Sequence, residues 1–231
     1  VTEAFQVTVG DGDGGVNMLV INNKIKDANK LPRFAPHGYV VSITGTESST
    51  ADNWYVQFVC EKDSSGNYPA LGAGFGRNGI WEECVGPQVK YTFNLTTMPH
   101  VLYYDAGTDS FTFGVGAWEN RAAGDENSNP QATFVDNTVE DLYYFHGRLG
   151  ILSGAACIMS RTNKPLNFWN QSATVSTDSD PIDIQSTIKG VRKMYRAIPH
   201  NRDLVVFSNK GQFIVFGRNA LTPANASLVL T

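Results

Sequence analysis

"RLGILSGAACIMSR", Arg148–Arg161, and "DLVVFSNKGQFIVFGR", Asp203–Arg218, decide how this chain is read. Each is an apolar run ending in Ser, a short turn, and a second apolar run ending in a basic residue, with Leu149 and Leu204 in equivalent places. Short apolar runs bounded by turn residues read as buried strands, and two of them joined tightly form a hairpin. One hairpin cannot bury both of its faces. Its recurrence after about 55 residues therefore predicts blades of a β-propeller-like array, in which neighbouring units cover each other. Two copies are too few to close a propeller, so the sequence is expected to be a fragment of a longer chain.

The region before these hairpins has the same character. Strand-like runs occur at Phe5–Val9, Val16–Ile21, Tyr39–Ile43, Trp54–Val59, Tyr91–Leu95 and Ser110–Val115. Between them, "GDGDGG" (Gly10–Gly15), "SSGN" (Ser64–Asn67) and "GAGFGRNG" (Gly72–Gly79) supply residues that accept the positive φ of tight hairpins. Residues 1–115 read as an N-terminal antiparallel β domain, possibly an insertion. The polar stretch "ENRAAGDENSNPQ" within residues 116–137 reads as an exposed connector started by Trp118, and residues 138–231 as an incomplete propeller-like part.

Composition agrees with a mostly β fold. The 231 residues are 42% hydrophobic but only 17% charged, with 22 glycines, which favours short strands and turns over long helices. No apolar run is long enough to span a bilayer as a helix, so no membrane anchor is expected. Cys60, Cys84 and Cys157 are odd in number and lack any C-x-x-C spacing, which points to buried free thiols rather than disulfides or zinc.

Candidate chemistry is sparse. "ATVSTDSDPIDI" clusters Asp178, Asp180 and Asp183, as a glycosidase acid pair or a hard-metal site would require. Asp180, Pro181 and Asp183 also match N-cap, N1 and N3 of a helix continuing through Ile184, Ile188, Val191 and Tyr195, although a strand from Val191 to Ala197 is an alternative. The capping reading explains the proline as well as the acids and is preferred. Lys189, Arg192, Lys193, Arg196 and Arg202 form a basic group that reads as a solvated face, because the net charge is −4. His37, His100, His146 and His200 show no metal-ligand spacing, and Trp54, Trp81, Trp118 and Trp169 read as core or subunit contacts before sugar platforms. No catalytic, cofactor-binding or metal residue is assigned.

The order of several segments carries more than any one of them. Trp118, Arg121, Gly124, Asp125, Asn129 and Pro130 in the connector, R-L-G-x-L-S-G at Arg148–Gly154 and D-P-I-D at Asp180–Asp183 together resemble the tail tubular protein B, or nozzle, family of short-tailed bacteriophages. The likeness covers about the last 135 residues and is weaker before Tyr91. It implies a non-enzymatic virion tail protein made in the bacterial host cytoplasm and containing propeller-like domains. It further implies a homo-oligomeric ring of six that contacts a tail adaptor protein and tail fibres. Phage DNA would pass through the lumen during ejection without sequence-specific binding. Two other functions are open: a tail-associated carbohydrate-active enzyme using Asp178, Asp180 or Asp183 with Trp169, and a glycan-binding receptor module.

Overall fold

A computed structural model describes residues 4–8, 17–21, 23–44, 53–74, 76–217 and 220–231. Among these the chain is mostly β, arranged in five open sheets, with one 3-10 turn at Ala28–Lys30. The described residues fall into two compact units. One is built from the part up to Lys90 with 122–129 and 172–174, the other from 91–121, 130–171 and 175–231.

In the first unit β1 (Ala4–Thr8) and β2 (Asn17–Ile21) pair antiparallel. The glycine-rich stretch Gly10–Gly15 lies outside the described residues. A second sheet has the order β3 (Lys24–Ile25), β4 (Val40–Ile43), β5 (Trp54–Cys60), β6 (Gly79–Cys84). Its β3–β4 pair is parallel, a departure from the expected all-antiparallel arrangement. Along β5, Val56, Phe58 and Cys60 are buried and the residues between them are not, the period-two signature that the sequence carried. Trp81 closes this core edge-on to Phe58 and donates its Nε1–H to the Pro32 carbonyl at 2.9 Å.

The second unit opens with a two-stranded hairpin, β7 (His100–Asp105) and β8 (Ser110–Val115). Two four-stranded antiparallel meanders follow. The first is β9 (Asp141–Phe145), β10 (Arg148–Ser153), β11 (Ala156–Met159) and β12 (Ile182–Gln185); the second is β13 (Met194–His200), β14 (Asp203–Ser208), β15 (Gln212–Val215) and β16 (Val229–Leu230). The two repeated sequence hairpins occupy the same place in each meander, its second and third strands, although Arg218 lies outside the described residues. The β9–β10 turn uses His146 and Gly147, both at positive φ (49° and 72°), the two-residue connection whose twist matches right-twisted strands.

The two meanders bury a common core. Tyr143, Leu152, Cys157, Met159 and Ile182 of the first meet Met194, Leu204, Val206, Phe213 and Val215 of the second. The opposite face of the first meander presents Ile151, Ala156 and Ile158 to an aromatic layer of Phe93, Trp118, Phe134, Phe168 and Trp169. In β10 and β11 alternate residues thus enter two different cores, so their sequence is apolar without interruption.

Three sequence expectations are corrected here. Tyr91–Leu95 is a loop, because Phe93 is drawn into the aromatic layer, stacked 4.8 Å from Trp169, while Asn94 anchors a turn that accepts the Thr97 N–H at 3.0 Å. No helix follows Asp180: residues 182–185 form β12, pairing with β11 and burying Ile182 in the inter-sheet core. The alternative strand reading holds for the later part, where Met194 begins β13. The stretch 119–131 is not simply exposed. Trp118 anchors its start as expected, but Arg121, Ala123 and Asn129 are buried as well.

Candidate functional site

The aspartate cluster is organised by a buried arginine that the sequence reading used only as a motif letter. Arg148, 1% exposed, opens β10. Its Nη1 donates to the carbonyls of Ser160 and Asp180, both at 2.7 Å, and its Nη2 donates to the Asp178 carbonyl at 2.8 Å and the Leu221 carbonyl at 3.3 Å. Desolvation lowers its pKa from the ordinary guanidinium value, and the nearby Asp180 carboxylate opposes that shift. A guanidinium whose fork is filled by main-chain oxygens is a clasp: it holds the 178–180 turn and the loop at Leu221 against the first meander.

Asp180 completes that clasp. Its side chain is buried, with Oδ2 accepting the Thr177 N–H at 2.7 Å, Oδ1 accepting the Gln171 N–H at 3.1 Å, and Arg161 Nε at 3.7 Å. It therefore caps the local turn, whose own bond runs from Asp180 N–H to the Thr177 carbonyl at 3.1 Å. Asp183 does not bond back to its neighbours as the capping reading expected. Its Oδ2 accepts the Thr133 N–H at 2.7 Å, tying β12 to a segment fifty residues earlier. Asp178 is exposed and contributes its carbonyl to Arg148.

The connector residues act in the same way. Asp125 Oδ1 accepts from the Asn127 and Ser128 backbone at 2.9 and 3.0 Å, and Asn129 Nδ2 donates to the Ala123 carbonyl at 2.9 Å. Glu83 Oε2 accepts the Ala173 N–H at 2.8 Å, and Oε1 accepts the Ser172 hydroxyl at 2.9 Å. In the aromatic layer Arg121 lies 4.4 Å over the Trp169 ring, whose Nε1–H is donated to the Glu119 carbonyl at 3.1 Å. Trp169 is 1% exposed, so its faces are occupied by protein and it offers no platform to a sugar beside the aspartates.

The thiols are poorly disposed to act as nucleophiles. Burial pushes the Cys157 thiol up to about 12 against its contact with the Tyr143 hydroxyl at 2.9 Å, and the same cause, aided by Glu83, raises Cys84 to about 12. Among the described residues no group of three or more His, Cys, Asp or Glu side chains is placed to hold a metal ion. No helix of the described residues is long and apolar enough to cross a membrane.

Among the described residues exposed apolar side chains gather on one hairpin. On one face of the β7–β8 hairpin, Leu102 pairs with Phe113 and Tyr104 with Phe111, all exposed. His100 stacks 5.4 Å from Phe113, and Tyr104 lies 5.0 Å from Phe111. The sequence reading found the strand at Ser110–Val115 but missed this face. Its signal was the i, i+2 spacing of Leu102 with Tyr104 and of Phe111 with Phe113 about a short polar turn.

Comparison with known proteins places these features in one family. The bacteriophage nozzle protein family model matches residues 1–231, including the early region where the likeness was weakest. The chain is 31% identical over 221 residues to the tail tubular protein gp12 of Escherichia phage T7, covering 95% of this chain and 26% of that protein. The chain thus spans about a quarter of the length of that relative. It belongs to the bacteriophage nozzle protein family.

Proposed function

We propose that this nozzle-family chain forms part of the wall of a virion tail tube, in a homo-oligomeric ring whose lumen conducts DNA during ejection. The observation that carries the reading is the use to which the motif residues are put. Arg148, Asp180, Asp183 and Asn129 all spend their polar groups on main-chain partners. Such residues hold loops to sheets rigidly and leave little for substrate chemistry, as a load-carrying, non-enzymatic component requires.

Two further features support it. A net charge of −4 suits a conduit, since each cation that met a phosphate would add a salt-like contact and retard the passing DNA. Two consecutive four-stranded meanders sharing a core support reading residues 138–231 as successive propeller blades. On this reading the ring has six copies and meets the tail adaptor and fibres, residues 116–137 link the blades to the β region within 1–115, and the protein is made in the host cytoplasm. Electron microscopy of the intact protein tests it: rings with a central pore are expected, and a compact monomer with no pore overturns it.

A further inference from the structure

The β7–β8 hairpin poses a packing problem within its own unit. An isolated two-stranded ribbon is marginally stable in water, yet this one presents Leu102, Tyr104, Phe111 and Phe113 to solvent, with Phe113 71% exposed. Exposed apolar patches of this kind mark contact surfaces. The second meander has a matching deficit. Its outward row runs Ile198, Val205, Ile214, Val229 across all four strands by register, and Ile198 and Val229 are exposed.

Charge selects the occupant. Residues 91–118 contain no Lys or Arg and two acids, Asp105 and Asp109, both at the hairpin tip. An acidic tip without cations is repelled by anionic lipid headgroups and by nucleic-acid phosphates alike. Residues 186–231 carry seven Lys and Arg and a single acid, Asp203. Of these, Arg202 and Lys210 stand exposed at the β13–β14 and β14–β15 turns, at opposite ends of the strands, so that they flank the aliphatic row on its two sides and the acidic tip can meet one of them. Aromatic face with acidic tip and aliphatic face with basic ends are complementary in both polarity and charge.

From this complementarity we infer that the aromatic face of the β7–β8 hairpin of one copy docks on the outer face of the β13–β16 meander of a second copy. The two surfaces differ, so the contact is heterologous, and repetition of one heterologous contact builds a ring where the rotation between copies closes. The inference rests on the ring reading above and names the surfaces that build it.

The test uses the intact protein in two single-substitution forms, Phe113→Cys and Ile198→Cys, mixed and treated with a short bis-maleimide. Both positions are exposed and Cys60, Cys84 and Cys157 are buried, and the unsubstituted protein taken through the same treatment sets the background. A product joining one copy of each form is expected. Arg202→Glu with Lys210→Glu should lower its yield about fivefold, the upper worth of an exposed charge pair. In an Asp105→Asn, Asp109→Asn background that loss should fall below about twofold, the mark of direct coupling. Rings without the mixed product, or a Phe113→Cys form linking only to itself, overturn the inference and leave the ring reading standing. An Ile198→Cys thiol shielded in dissociated monomers overturns it too, because another segment of the same polypeptide then covers the face. Absence of any assembly removes both.

Discussion

The first meander, β9–β12, and the second, β13–β16, share an up-and-down topology and similar hairpin sequences, yet they are buried differently. In β10 and β11 nearly every residue is buried, whereas β14 and β15 alternate between buried and half-buried or exposed. The cause is what lies on the second face: an aromatic layer covers Ile151 and Ile158, while nothing in the described chain covers Ile198 or Val229. Even the first meander loses its cover at the edge, where Leu142 and Tyr144 of β9 are exposed. In these two hairpins the strands follow the local sequence, and the number of buried faces is set by neighbours.

The largest expected difference concerns the two arginines. Arg148→Met strands three carbonyls now bonded at 2.7–2.8 Å. At about 1–3 kcal/mol per unsatisfied buried group, it should cost at least about 3 kcal/mol in urea unfolding. Arg196→Met removes an ion pair with Asp141 at 2.9 Å whose arginine is exposed and whose buried acid keeps the Ala197 N–H, and should cost about 1–2 kcal/mol, less than the clasp. Equal losses would mean that the Arg148 clasp is dispensable.

Next come the isoleucines. Ile158→Ala, fully buried against the aromatic layer, should destabilise by about 2–5 kcal/mol. Ile198→Ala in a dissociated monomer should cost less than about 1 kcal/mol, since roughly half of that side chain is already in water. Thermal or urea unfolding of the pair checks this, and a large loss from Ile198→Ala would show a covered second face.

Gly150 explains the glycine of the R-L-G-x-L-S-G motif. It sits opposite Tyr143, and a Cβ at Gly150 would run into the Tyr143 ring. Gly150→Ala should therefore cost about 1–3 kcal/mol by overpacking. Adding Tyr143→Ala should recover part of that overpacking penalty, giving clear non-additivity in a double-mutant cycle.

The smallest effect is at the hairpin tip. Backbone N–H donation from Gly107, then the Thr108 hydroxyl, holds the Asp105 carboxyl below its ordinary value of 3.8. A lowered folded value means that the contribution is present above the ordinary value and is lost as pH falls through the folded one. The Gly107 amide resonance should accordingly titrate with a midpoint below 3.8. A midpoint at or above 3.8 would contradict the tip geometry.

Much of this was legible in residues alone. Alternation at Trp54–Val59, the paired hairpins and their equivalent positions, the free thiols and the burial of Trp118 and Trp169 all follow from local pattern. Side-chain periodicity and turn stereochemistry act within a few residues, so sequence carries them directly. The fate of Asp180–Gln185, the loop at Tyr91–Leu95 and the buried nodes of the connector depended on distant partners. A helix cap at Asp180 is worth about 0.5–2 kcal/mol. Burying Ile182 is worth about 1.5–3 kcal/mol, and four paired positions along β11 add to it. Tertiary structure decided the strand because the waiting edge of β11 outweighs a cap, and that edge exists only once the meander has formed.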